Sequence, residues 1–362
     1  MPPVEYRILA INPGSTSTKF GVFAGSQAVL VRNLRHSEVE MAPFRGRPVL
    51  DQEEFRREAM ERELVTAGED LCGFHAVAGR GGLLAPVRSG TYRVNQAMLD
   101  HLREARRGEH ASNLGAFLAR ALAARAGVEA FIVDPVSVEE WPEHARLSGL
   151  ALIERQCFSH ALNTKAVAKR YAREVGRSYE QLRLIVAHLG SGISISAHEG
   201  GRMIDVADGV NEGPFSAERP GKLPAIELMH LCFSGNYTQQ QMEALLWRGS
   251  GFYSYLGTKD LAEVERRIDK GDGRAALVFK AMTYQIAKEI GAMATVLPGR
   301  VDALLITGGM AHSARLVAAV QAAVGWIAPV AVYPGEDELQ ALAEGVLRVL
   351  CGEEPAREYG AA

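Results

Sequence analysis

The spacing of hydrophobic and polar positions changes several times along the chain, and the changes come in a repeated order. Residues 7–12, RILAIN, form a short aliphatic and β-branched run. The small polar segment PGSTST follows, then Lys19 and a second apolar run, FGVF. After the turn Ala24-Gly25-Ser26, residues 27–32 (QAVLVR) predict a third strand. The same succession returns as RLIVAH at 183–188, LGSG at 189–192, ISISAH at 193–198 and RMIDV at 202–206. Setting Asn12 against His188, an offset of 176 residues, brings Gly14 onto Gly190 and Ser15 onto Ser191. The offset is about half the chain. It predicts two related halves, each opening with an antiparallel strand unit whose first turn is small and hydroxyl-rich.

Elsewhere strands and helices alternate. HAVAGRGGLL at 75–84 is a strand running into a glycine turn, and EAFIVD at 129–134 is a buried strand ending at Asp134-Pro135. Helical spacing is found over 95–107, 113–126 and 158–174, with Ser112 or Asn113 as the cap of the second. In the second half, 223–233, 238–248, 260–269 and the long apolar stretch 274–296 predict helices. VDALLIT (301–307) predicts a strand that breaks at Gly308-Gly309, AVYPG (331–335) a last strand, and 336–350 a last helix. This is an α/β pattern. It divides into a first domain over 1–155, completed by the C-terminal helix within 336–362, and a second domain over 156–335.

A length of 362 residues suits two domains. A net charge of −3 and an isoelectric point near 6.4 give no basic excess, so neither a nucleic-acid partner nor a membrane surface is expected. Cys72, Cys157, Cys232 and Cys351 lie far apart with no CxxC pair. They form neither a disulfide framework nor a zinc site, and are expected to be small buried hydrophobes in a reducing compartment. Residues 1–7 lack a basic segment followed by an apolar core, and no apolar run approaches the roughly 18 residues needed to cross a membrane. The expected location is the cytoplasm.

Three loops carry the candidate chemistry. In NPGSTSTK (12–19), Gly14 admits a close ligand, Ser15, Thr16, Ser17 and Thr18 offer hydroxyls, and Lys19 adds positive charge. These groups suit phosphate. The loop is not a Walker A motif, because Thr18 rather than Gly precedes Lys19 and a strand follows. HLGSG (188–192) is the second loop, with His188 at a strand end. TGGM (307–310) is the third, its two glycines leaving room for a base or ribose. Arg80 lies between glycines in GRGG, and Arg219 lies in the irregular PFSAERPGKLP. Guanidinium suits carboxylate or phosphate. Asp134 either orients an arginine, holds Mg²⁺ or starts a turn. Glu336, Asp337 and Glu338 open the last helix, where acids are favoured by the helix dipole alone.

NPGSTSTKF, AGRGGLL, GEHASNLGA, IVDPV, HLGSGIS, GPFSAER, YLGT, ITGGM and YPGEDEL stand here in the order in which they occur in butyrate kinases. From residue 7 to about 352 the chain resembles that branch of the acetate and butyrate kinase family, within the actin, Hsp70 and sugar-kinase superfamily. The resemblance implies two duplicated RNase H-like domains of the actin-like ATPase kind, with a nucleotide cleft between them. It implies that ATP and a short-chain carboxylate give ADP and an acyl phosphate with Mg²⁺, in a homodimer or larger assembly.

Roles follow by motif position. Asn12, Gly14, Ser15, Thr16, Ser17 and Lys19 correspond to a first phosphate loop, with Asn12 near the metal. Gly190, Ser191 and Gly192 with His188 correspond to a second, and Gly308 and Gly309 to an adenosine loop. Arg80 corresponds to the grip on the carboxylate, His110 and Asn113 to the substrate path, and Asp134 to an acid supporting Arg80 and the metal. Arg219 corresponds to the stabiliser of the moving phosphoryl group, and Asp337 or Glu338 to a metal-associated acid. Gly82 and Ala187 stand where acetate kinases generally carry bulkier residues, which implies room for a four-carbon chain. A branched-chain fatty acid kinase is the alternative. A reading of another class is a non-catalytic ATP switch of the actin or Hsp70 kind, which needs neither Arg80 nor Arg219.

Overall fold

The structure is a computed structural model and describes residues 5–360. Residues 1–4, part of the segment read above for a leader, lie outside the described residues, as do 361–362. The chain divides into two compact units, Met1–Glu139 with Asp337–Ala362, and Glu140–Glu336.

In the first unit, β1 (Arg7–Pro13), β2 (Ser17–Ala24) and β3 (Gln27–Arg35) form an antiparallel meander. β1 also pairs in parallel with β4 (Ala76–Arg80), which pairs in parallel with β6 (Glu129–Val133). β5 (Thr91–Arg93) runs antiparallel to β6 and carries the two-residue strand Arg357–Glu358 at its edge. β1 is mostly buried because helices cover both sheet faces, so it reads as a continuous apolar run rather than an alternation. β3, at the open edge, is largely exposed and carries Arg32 and Arg35.

In the second unit, β7 (Leu184–Leu189), β8 (Ile193–Glu199) and β9 (Arg202–Ala207) repeat the meander. β7 pairs in parallel with β10 (Ala303–Gly308), and β10 with β11 (Val330–Pro334). The strand order β11-β10-β7-β8-β9 thus matches β6-β4-β1-β2-β3 in order and sense. Both third strands slip register near the same place, at Val22/Phe23 and at Ala197/His198. The repeat read from Asn12 and His188 is therefore a repeat of topology.

The expected helices are present with ends shifted by a few residues. The last helix, Glu338–Leu350, belongs to the first unit, where Gly345 lets it approach strand β6. A Cβ there would sit 2.5 Å from Val133. Residues 140–155, placed on sequence with the first domain, group with the second unit. Glu140 pairs with Lys165, and Arg155 pairs with Asp205 and Glu212. The helix Glu53–Thr66 has no counterpart in the sequence reading. Its inward positions are Arg56, Met60 and Leu64, so the stripe begins with an arginine and does not read as apolar. The short helix Gly251–Leu256 and the three-residue β5 also escape pattern reading. The cysteine expectation is corrected: Cys157 is buried, but Cys72, Cys232 and Cys351 are exposed.

Candidate active site

In the first unit, two glycines set the frame. A Cβ on Gly79 would fall 2.1 Å from the Gly115 carbonyl oxygen, and one on Gly115 would fall 2.1 Å from that of Arg80. The helix Asn113–Ala126 therefore lies backbone to backbone on β4, as only glycine permits. This contact fixes Arg80 at the end of β4. Arg80 Nη1 donates to Glu338 Oε2 at 2.6 Å and to Asn12 Oδ1 at 3.3 Å, and Asn12 Nδ2 donates to the same Glu338 oxygen. Glu338 is 4% exposed. Strand β1, strand β4 and the last helix thus deliver one residue each to a cation–carboxylate–amide cluster.

The expected partner of Arg80 was Asp134. The structure corrects this. Asp134 Oδ1 accepts from Ser89 Oγ at 2.6 Å and from the Gly90 amide at 2.8 Å, and its backbone sits at φ +38°. It ties a turn in a conformation that aspartate tolerates better than most side chains. Asp337 occupies the N-cap position with no side-chain cap bond, so of the two acids considered it is Glu338 that reaches Arg80 and Asn12.

Asn113 is also reassigned. Its Oδ1 accepts from the Leu83 amide at 2.9 Å and its Nδ2 donates to the Gly108 carbonyl, so it binds the loop after Arg80 rather than facing a ligand. Gly82 lies against it, and a Cβ on Gly82 would fall 2.5 Å from Asn113 Oδ1 and 2.7 Å from its Cα. The missing side chain at 82 is required by packing, not by an acyl chain. Ser112 occupies the N-cap position of its helix, but its side chain makes no capping bond. Its Oγ lies 2.8 Å from His110 Nδ1 and its N–H donates to the same nitrogen at 3.2 Å, on an exposed ring.

In the loop after β1, Ser15 and Thr16 are exposed, while Ser17 and Lys19 are half-buried. Gly14 N–H donates to the Ser17 carbonyl at 2.8 Å and closes the turn. The fully buried Arg56, missed on sequence, donates to the carbonyls of Ser15 (3.1 Å) and Ser17 (2.8 Å) and to Thr18 Oγ1 (2.9 Å).

In the second unit the corresponding loop, Gly190–Gly192, is held on both sides. His188 is buried at the end of β7. Asn163 Nδ2 donates to its Nδ1 at 2.9 Å, and its Nε2, buried and without a hydrogen-bond partner among the described residues, lies 3.2 Å from Glu336 Oε1. A Cβ on Gly190 would fall 3.0 Å from that nitrogen, and one on Gly192 would fall 2.9 Å from Arg219 Nη1. Glycine at both places lets the imidazole and the guanidinium close on the loop. Arg219 donates to the Gly209 carbonyl at 2.9 Å and lies over the Trp247 ring at 5.2 Å, while its Nε is buried with no hydrogen-bond partner among the described residues. Burial pulls its pKa down, and Glu218 and Asp208 act the other way. Ser216 Oγ bonds the exposed Ser191 through the carbonyl of the latter.

His160 is a second group that sequence reading passed over. Its ring stacks on His188 with centroids 3.8 Å apart and planes 9° apart, and its Nδ1 lies 2.5 Å from Ser194 Oγ. The available signal was a histidine immediately before the helix Ala161–Glu174. Ala187 is the remaining correction. It faces the hydrophobic core with Ile185 and Leu189, on the opposite side of β7 from His188, and lines no ligand surface. Gly308, at φ +93°, would place a Cβ 2.3 Å from the Leu189 carbonyl oxygen, whereas a Cβ on Gly309 meets open space. Thr307 Oγ1 joins this turn to Asn163 and to the Gly335 carbonyl.

Among the described residues no group of three or more His, Cys, Asp or Glu gathers around a metal position. Asn12 and Glu338 are hard oxygen donors of the kind that magnesium takes in small number beside water and phosphate, so this pair fits such an ion. Also among the described residues, no helix is long and apolar enough to cross a membrane.

Comparison with known proteins follows the same lines. Residues 150–327 match the model of the acetokinase family. The fold is similar to that of Porphyromonas gingivalis acetate kinase, with a TM-score of 0.80, 21% identity, and 95% of this chain and 100% of that one covered. It is similar to a propionate kinase from Francisella tularensis (TM-score 0.77, 18% identity, 94% and 98% covered). It is also similar to acetate kinase from Entamoeba histolytica (TM-score 0.75, 16% identity, 94% and 98% covered). A putative N-acetylmannosamine kinase from Listeria monocytogenes aligns more loosely, at a TM-score of 0.53. The chain has the actin-like ATPase fold shared by acetate kinases and sugar kinases, and over residues 150–327 it carries the match to the acetokinase family.

Proposed function

We propose that this protein is a carboxylate kinase, transferring the terminal phosphoryl group of ATP to a short-chain carboxylate to give ADP and an acyl phosphate. The carrying observation is the clasp on loop Gly190–Gly192, where glycine at both ends leaves room for His188 and Arg219 to close on it. The acetokinase match spans the same residues.

A carboxylate has a pKa of roughly 4 to 5, so at neutral pH it is already a nucleophile and needs no general base. The site must instead hold the reactants in line and offset charge as the phosphoryl group moves. Arg80 grips the acceptor carboxylate. Arg219, with no carboxylate hydrogen-bonded to it among the described residues, supplies charge to the phosphoryl group. His188, with Nδ1 occupied by Asn163, presents Nε2–H as a donor. Loop 14–18 and Lys19 receive phosphate oxygens, and Gly308–Gly309 leaves room for the nucleoside. Asn12 and Glu338 would hold Mg²⁺, which would neutralise phosphate charge when bound. Transfer is direct, with no phosphoenzyme.

Among acceptors we favour butyrate, on the ordered motifs from NPGSTSTKF to YPGEDEL. Branched acids are the alternative, and each methylene in an apolar pocket changes preference by only about 1–3 kcal/mol. We place the protein in the cytoplasm as a homo-oligomer.

The test is hydroxylamine trapping of acyl phosphate from ATP with acetate, propionate, butyrate, isobutyrate and isovalerate, with and without Mg²⁺. An optimum at four carbons supports the butyrate reading. A best rate with branched acids moves the substrate and keeps the reaction. Binding of ATP with no product from any acid would overturn the kinase reading in favour of a nucleotide switch.

A further inference from the structure

Arg56 is the largest fully buried side chain among the described residues, and the sequence gives no hint of its task. Its N–H groups reach four acceptors: the Ser15 carbonyl, the Ser17 carbonyl, Thr18 Oγ1 and Gln52 Oε1, the last at 2.8 and 3.0 Å. All four are neutral. A buried guanidinium is ordinarily balanced by a carboxylate, because an unpaired charge in the interior is costly. The surroundings also contain His36, whose Nε2 lies 2.9 Å from Thr18 Oγ1. Burial and the Arg56 charge hold that ring below its usual pKa, which favours its neutral form beside the guanidinium.

The direction of these bonds matters. The Ser15 and Ser17 carbonyls point in to Arg56, and the Thr16 carbonyl accepts from the His36 amide at 2.9 Å. Arg56 thus holds the two carbonyls that flank the exposed Thr16, while the Thr16 carbonyl is held from the residue after β3.

We infer that Arg56 is a positioning residue for a polyphosphate anion bound on loop Gly14–Thr18. It pins the carbonyls of the loop inward and holds beneath them a positive charge that the bound anion, rather than a protein carboxylate, offsets. This rests on the nucleotide reading above and assigns Arg56 a part in it. Lysine at this position keeps the charge but has one nitrogen where four acceptors wait, so it cannot hold both carbonyls.

The test measures ATP and ADP binding to the full chain by calorimetry for wild type, Arg56→Lys and Gln52→Leu, with hydrogen exchange at the amides of residues 14–18 and thermal melting. The expected result for Arg56→Lys is ATP binding at least 10-fold weaker, a raised KM for ATP with the carboxylate KM within two-fold, and faster exchange confined to the loop. Gln52→Leu, which leaves the guanidinium but frees it from its anchor, is expected to show a smaller change of the same kind. A folded Arg56→Lys protein that binds ATP as wild type does would overturn the inference and leave Arg56 a packing residue. If that variant does not fold, Gln52→Leu decides, and unchanged ATP binding there overturns the inference. Wild-type protein that binds no nucleotide sinks the functional reading first, a result distinct from either.

Discussion

Arg80 and Glu338 are 258 positions apart in the sequence and 2.6 Å apart in the fold. Strand β4 supplies the cation and the first turn of the last helix supplies the carboxylate. Asn12, at the end of β1, touches both. The last helix thus closes the first unit chemically as well as topologically. It explains why an acidic cluster that reads as ordinary helix-dipole complementarity contains one buried acid.

Replacing Glu338 with glutamine keeps the shape and removes the charge that orients Arg80. Small misplacements at a transfer site cost about 100-fold in rate. We expect Glu338→Gln to lower kcat/KM for the carboxylate by about that factor in the hydroxylamine assay, with KM for the acid raised. A wild-type rate would remove Glu338 from the site.

Arg219 is held by the Gly209 carbonyl and the Trp247 ring, contacts a lysine can keep in part, while its Nε is buried with no hydrogen-bond partner among the described residues. Arg219→Lys should melt near wild type, while single-turnover phosphoryl transfer falls about 10³-fold, the scale of arginine stabilisation in phosphoryl transfer. Parallel losses of stability and rate would instead make the residue structural.

Gly82 separates the packing explanation from the pocket explanation. A methyl group there meets Asn113 at 2.5 Å. Gly82→Ala is expected to cost about 1–3 kcal/mol of stability, read by urea unfolding. It should lower the rate with every acid while leaving the ratio of acetate to butyrate rates unchanged. A ratio shifted toward acetate would return Gly82 to the wall of the acyl pocket.

Titration of His36 gives stability a predictable slope. Burial first and the Arg56 charge second hold its native pKa below the ordinary value near 6.5, and buried His198 is shifted the same way. The unfolded chain therefore takes up protons at a higher pH than the native state. Stability is full above about pH 6.5 and falls as pH drops below it toward the native pKa values. Melting temperatures from pH 7.5 to 5.0 should decline in wild type and decline less in His36→Asn. Equal slopes would place the proton uptake elsewhere.

The sequence by itself determined the repeat, the order of strands and helices and the three glycine loops. These rest on local regularities: apolar runs of strand length, turn residues and caps act over a few positions. Asn12 against His188 gave the duplication because both halves spell the same strand-turn-strand. The partnerships were decided only by tertiary structure. Arg80 meets Glu338 and not Asp134 because Gly79 and Gly115 let the helix Asn113–Ala126 lie on β4, while Asp134 closes its own turn. Ala187 faces the core and His188 faces the loop because successive strand residues point to opposite faces. Arg56 was invisible because a buried arginine at the inward position of a helix breaks the apolar stripe that reveals such helices. Periodicity records which face is greasy. Which charged group meets which depends on close backbone approach and on residues hundreds of positions away.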